Sequence, residues 1–215
     1  MSFWEYIVDR RDLLVFLSAQ QFSMVAQCLI VATVIAIVVA ALVYRNNTAV
    51  GLATATTAVG LTLPSFALLG LLVAVTGFGI TPAVIALTFY AILPILRNTV
   101  VGLATVDPAL VDSARGMGMS RFRILTRVEL PMAWPVVMAG VRVSGAMIMG
   151  VGAIAAYVGG AGLGGEIFAG LSRLGGANAL NSTLAGTLGI ALLALILDLL
   201  LLGVSRLTTA RGIRV

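Results

Sequence analysis

The sequence predicts an all-α integral membrane protein of five transmembrane helices, its N-terminus outside and its C-terminus cytoplasmic, with a helical cytoplasmic loop between spans three and four. Three observations predict it. Of the 215 residues, 60% are hydrophobic and only 10% charged, against roughly half and a quarter in a soluble domain; the mean hydropathy is +1.13. Five stretches reach the roughly 20 apolar residues that a helix needs to cross the hydrocarbon core. The arginines fall unequally on the two sets of connecting segments.

Taken in order, residues 1–21 mix Glu5, Asp9, Arg10, Arg11 and Asp12 with Phe3, Trp4, Ile7, Leu13, Leu14 and Phe16. That composition fits an amphipathic segment at the interface rather than a cleavable signal peptide. The spans follow at about Phe22–Tyr44, Ala49–Val75, Ile80–Leu103, Met132–Gly159 and Ser182–Ser205. They form one transmembrane domain over residues 22–205, with a loop at 107–131 and a tail at 206–215. With five spans the two ends lie on opposite sides. Arg10, Arg11 and Arg173 share the N-terminal side; Arg45, Arg97, Arg115, Arg121, Arg123, Arg127, Arg206, Arg211 and Arg214 share the other. Cytoplasmic segments carry the arginine excess, so the larger set marks the cytoplasm. The net charge of +5 is mostly this cytoplasmic excess and points to anionic lipid, not to an anionic substrate.

The chain has no His and no Lys, and one cysteine, Cys28. These absences remove Ser-His hydrolysis, His-ligated metals, Schiff bases, the phosphate-cradling P-loop lysine and an internal disulfide. An intramembrane enzyme is left with almost no chemistry. No metal or cofactor is expected on this chain, and the energy for any work comes from elsewhere.

The loop from Asp107 to Pro135 carries the most information. Asp107-Pro108 reads as an N-cap followed by proline at the first helical position, opening a helix through Arg115. Gly116 and Gly118 close it, and Ser120 caps a second, basic helix from Arg121 to Leu130 that Pro131 ends. A solvated basic loop accounts for the charges. It does not account for the paired caps, nor for Val111, Ala114, Met117 and Met119, which look like a docking surface.

Asp112-Ser113-Ala114, three residues, Gly118, nine residues, then Val128-Glu129-Leu130-Pro131 resembles the cytoplasmic signature of binding-protein-dependent ABC importer permeases: Glu-Ala-Ala, Gly and Ile-x-Leu-Pro at the same spacing. The substitutions Asp for Glu, Ser for Ala and Val for Ile are conservative. The resemblance implies a coupling helix seated in a separate ATPase, with Asp112, Ser113, Ala114, Arg115, Gly116, Met117, Gly118 and Met119 facing it. It also reaches a subfamily. Tyr90 to Thr99, Val106 to Leu110, Arg115 to Met119 and Gly159 to Phe168 are similar to segments of osmoprotectant permeases, which import glycine betaine, choline and carnitine. Methionine importers share part of the glycine-rich segment and the five-span plan, and are the alternative. The resemblance runs from about Leu61 to Leu200. It implies a permease of a bacterial inner membrane, paired with a second copy or a sister permease. Two ATPase subunits would use ATP and magnesium, and an external binding protein would deliver the solute.

Within the spans, Pro64 breaks the second and Pro94 the third. Pro64-Ser65-Phe66 either forms a static kink or lines a pathway. Phe66, Phe89, Tyr90 and Tyr157 offer aromatic faces to a quaternary ammonium solute, or serve as packing. Arg142, eleven residues after Pro131, and Asp198, eight before Arg206, reach similar depth at about 1.5 Å per residue. They pair, or each reaches the interface alone. An ion-coupled secondary transporter would need intramembrane carboxylates or internal repeats; Asp198 is the one well-embedded carboxylate, and no repeat is visible.

Overall fold

The computed structural model describes residues 1–209, and the described residues contain helices and turns but no strand. Arg211 and Arg214, counted above for orientation, lie outside the described residues.

Helix α1 (Phe3–Asp9) starts with a capping box in which Ser2 and Glu5 exchange hydrogen bonds. Only Arg10 separates it from α2 (Arg11–Val43), one unbroken helix. The boundary expected at residue 21 therefore does not appear; the first long helix starts at Arg11, eleven residues before the expected Phe22. Asn46 caps α3 (Asn47–Thr62) by accepting from the N–H groups of Thr48 and Ala49. Leu63 and Pro64 are extended, and α4 (Ser65–Thr76) leaves at 92° to α3. The expected second span, Ala49–Val75, is thus a bent pair rather than one helix, because Pro64 has no N–H to continue the ladder.

α5 (Ile80–Ala104) is the centre of the molecule, packed between α2 and α8 (Leu130–Ala155). Small residues set these contacts. Ala32, Ala36 and Ala40 of α2, together with Ala83, Ala86 and Ala91 of α5, are fully enclosed. At Gly140 of α8 a Cβ would come within 2.8 Å of the Asn98 Cβ, so only glycine permits that approach. Without a hydrophobic drive between helices in lipid, such close contacts carry the association.

Between α5 and α8 come α6 (Pro108–Gly116), α7 (Arg121–Ile124) and a π-helical turn, Leu125–Glu129. The expected stop at Pro131 is absent, and the backbone runs helically from Arg121 into α8. The widened turn, in which Leu130 N–H donates to the Leu125 carbonyl five residues back, shifts the register just before the proline that cannot donate. α8 passes into a 3-10 turn, Ala156–Val158, and Gly159 reverses the chain toward α9 (Gly164–Leu171). α10 (Ala179–Thr208) returns along α8 and turns Leu188, Leu192, Leu195 and Leu199 outward. The glycine-rich segment admits close backbone and side-chain approach: Gly162, at φ +120°, faces the fully buried Gln21, which would collide with any Cβ there.

Four helical stretches are each long and apolar enough to span a membrane, and the bent pair α3–α4 makes up to a fifth. One end of the bundle carries α6, α7 and the π-turn, with Trp134 Nε1 donating to Thr208 Oγ1 at 2.7 Å. The opposite end carries α1, α9 and the turn at 77–79, tied by Gly79 N–H to the Val158 carbonyl at 2.8 Å.

Candidate functional site

Caps build the α6–α7 unit. Asp107 Oδ1 accepts from Ala109 N–H at 2.8 Å, and Pro108 occupies the first helical position, where no N–H is needed. Gly118 takes φ +79°, the left-handed region that glycine enters without strain, and turns the chain toward α7. Ser120 Oγ then accepts from Arg123 N–H at 3.4 Å. On the exposed side of α6, Arg115 donates to Asp112 at 2.9 Å and Ser113 Oγ donates to the Ala109 carbonyl at 2.7 Å.

Of the eight residues assigned to an ATPase contact, Asp112, Ser113, Arg115, Gly116, Met117 and Gly118 are exposed and Met119 is half-buried. Ala114 departs from the expectation. It is 1% exposed and faces inward, because α6 rests on α7 and the π-turn and needs one small residue on that side. The unit displays Met117 and Phe122, 71% and 74% exposed, and also Leu110. The sequence signal for Phe122 was a large apolar residue set between Arg121 and Arg123, where a solvated basic face has no use for one.

Two buried carboxylates anchor the ends of the bundle. In the π-turn, Glu129 accepts from Tyr44 Oη at 2.6 Å and from Arg45 Nη2 at 3.1 Å. The Arg45 guanidinium also stands over the Tyr44 ring, 5.0 Å from its centroid. At the opposite end Glu166 of α9 accepts from Tyr6 Oη at 2.7 Å, Ser182 Oγ at 2.9 Å and Arg10 Nη1 at 3.1 Å. Midway, Arg142 and Asp198 meet in a two-point contact, Nε to Oδ1 and Nη2 to Oδ2, both 2.8 Å, joining α8 to α10. None of the described residues forms a group of three His, Cys, Asp or Glu able to hold a metal ion.

The aromatic candidates divide. Tyr90 is buried and its hydroxyl is committed to the Leu63 carbonyl at 2.6 Å, which the break at Pro64 leaves without a helical partner. It supports the bend, and Phe89 packs beside it. Pro64 is exposed, Ser65 half-buried and Phe66 exposed. Phe66 meets Tyr157 at 5.3 Å between ring centroids, and Tyr157 meets Phe168 of α9 at 5.4 Å. Phe168 lies at the end of the glycine-rich segment, and nothing local in the sequence links it to Phe66.

The sequence pattern of the family described as binding-protein-dependent transport system inner membrane component matches residues 20–209. The osmoprotectant import permease protein OsmW of Salmonella typhimurium is 36% identical over 214 residues, 97% of this chain and 98% of that protein. The glycine betaine/carnitine/choline transport system permease protein OpuCB of Bacillus subtilis is 38% identical over 153 residues, 71% of this chain and 69% of that protein. Among solved structures, a chain of the MetNI methionine ABC transporter, described as inward facing, superposes with a TM-score of 0.77. It covers 94% of this chain at 21% identity, a likeness of fold. The chain belongs to the binding-protein-dependent transport system inner membrane components and is a membrane permease of the type I ABC importer class.

Proposed function

We propose that this permease imports compatible solutes, taking glycine betaine, choline or carnitine, and that the α6–α7 unit couples it to a separate ATP-hydrolysing subunit. The observation that carries the coupling is the loop itself: the family's signature spacing starts on the capped helix α6 and runs through α7, and Met117 and Phe122 beyond α6 project uncovered by the described residues. The names of the relatives support the solute class. So do the adjoining rings of Phe66, Tyr157 and Phe168, since aromatic faces attract a quaternary ammonium ion.

On this reading the α6–α7 end is cytoplasmic, in keeping with its arginines, and the five spans count α3–α4 as one broken span. Residues 22–205 act as the permease domain, 107–131 as its coupling loop, and 206–215 as a tail. A second permease, alike or sister, completes the pathway, and an external binding protein delivers the solute. Two ATPase subunits bind ATP and magnesium; this chain binds neither. Their closure draws the two α6 units together, and the displacement enters α8 through the continuous α7–π-turn backbone and α2 through Glu129. Pro64, Ser65, Phe66 and Tyr157 stand along the pathway at the bend, with Tyr90 behind them holding the Leu63 carbonyl. An ion-coupled transporter is disfavoured, because the embedded carboxylate Asp198 is already engaged by Arg142.

The test is uptake of labelled glycine betaine, choline, carnitine and methionine by cells in which this importer is the sole route. Saturable uptake of at least one of the first three, abolished by vanadate, is expected. Methionine uptake alone, or uptake that survives vanadate and stops with an ionophore, would overturn the solute class or the energy source respectively.

A further inference from the structure

We propose that Arg97, with Asn98 beside it, is an anion-recognition point on the solute pathway and takes the carboxylate of a zwitterionic solute. α5 is the most enclosed of the long helices. From Ala86 to Val100 every residue of it is buried or half-buried except one, and that one is Arg97. The side chain emerges between α3 and α8 into a cavity of 420 Å³ lined also by Leu61, Asn98, Val101, Val143 and Met147. Arg97 precedes the last residue of α5 by seven positions, about 10 Å along the axis, so it branches from within the span and not, as the arginine count had it, from a cytoplasmic segment.

Arg97 forms no hydrogen bond or ion pair among the described residues. An unpartnered cation at that depth is strongly disfavoured in hydrocarbon, and the chain has nothing to spare for it. The sequence has eight acidic residues. Glu129, Glu166, Asp198 and Asp112 each hold an arginine, and Asp107 caps α6. Glu5, Asp9 and Asp12 lie at the opposite end of the bundle. In a second copy of this chain the carboxylates at this end are engaged in the same way. The counter-charge is then a small molecule's two anionic oxygens, which a planar guanidinium grips in parallel. A solute carboxylate and a lipid phosphate share that chemistry. The position favours the solute: Arg97 leaves the core helix beside the α3–α4 limb, not on the leucine-rich outward side of α10.

This assignment rests on the compatible-solute reading and divides its solutes, since glycine betaine and carnitine carry a carboxylate and choline does not. The experiment compares uptake of all three by cells whose only copy is wild type, Arg97→Gln or Arg97→Lys, with co-purification of the partner subunits as the check on assembly. Arg97→Gln is expected to lower glycine betaine and carnitine uptake about tenfold or more, and choline uptake less than about twofold. Should that variant fail to assemble, the ratio is read in Arg97→Lys, which keeps the charge but loses the fork; betaine relative to choline should still fall about threefold. Equal losses for all solutes, or none, overturn the proposal. So do equal losses that track the phosphatidylglycerol content of proteoliposomes, which would give Arg97 to lipid phosphate, and so does a wild type that imports choline alone. A wild type that imports none of the three overturns the compatible-solute reading first, so the two failures are told apart by which sample fails.

Discussion

The N-terminal limb, α1 and α2, is tied at both ends by the same chemistry: a tyrosine hydroxyl and an arginine converge on one buried carboxylate. The ties differ in what carries the carboxylate. Glu166 stands on α9, a regular helix, and takes a third donor from Ser182 of α10. Glu129 stands on a π-helical turn and takes only Tyr44 and Arg45. A π-turn is a local register fault that interrupts the ordinary ladder and is found disproportionately at functional positions. The proposed coupling gives the difference a meaning: the α9 end would hold its shape, and the α6–α7 end would pass a displacement into α2 and α8 together.

That contrast can be broken or sharpened. The largest effect belongs to the tie midway between the two ends. Arg142→Leu leaves Asp198 alone within a span and should cost about 2.5–3.5 kcal/mol, read as a lower melting temperature in detergent. Exchanging the two residues, Arg142→Asp with Asp198→Arg, should recover most of it; failure of the exchange while Asp198→Asn alone is tolerated would remove the pair from the account. Next come the ends themselves. Glu166→Gln disturbs three donors and should cost about 2 kcal/mol, a figure held down by the half-exposed Arg10. Glu129→Gln should cost less, about 1 kcal/mol, yet it should lower solute moved per ATP hydrolysed several-fold, whereas Glu166→Gln leaves that ratio unchanged. Identical effects of the two substitutions on stability and on the ratio would erase the distinction between the ends. A smaller change is expected from Phe168→Ala, which thins the aromatic group at Tyr157 and should raise the solute concentration for half-maximal uptake about two- to fivefold.

Much of this was legible from local chemistry. Asp107, Pro108, Gly118 and Ser120 specify the α6–α7 turn through caps and one left-handed glycine, which act within a few residues. Arg142 and Asp198 could be matched because depth in a bilayer is counted from the charged ends of each span. Pro64 announced its break, whereas Pro94, expected to break the third span, lies inside the unbroken α5. The two carboxylate ties could not be read, since Tyr6 and Glu166 are 160 residues apart and an interfacial glutamate is ordinary by itself. Pro131 misled because a proline in the first helical turn is tolerated, and the widening that accommodates it leaves no mark in composition. Ala114 misled for a different reason. A signature says which residues recur, not which side of a short helix each one faces.

The central claim is that the α6–α7 unit joins this permease to a separate ATPase. The most direct measurement is ATP hydrolysis in the eluate when the tagged chain is purified from its native membranes in mild detergent, wild type against Met117→Asp. Met117 is 71% exposed, so a charge there leaves the fold intact. Hydrolysis that co-purifies with wild type and is lost with Met117→Asp, at an unchanged melting temperature, is the predicted result. An intact wild-type preparation without ATPase, or equal activity from both proteins, would contradict it.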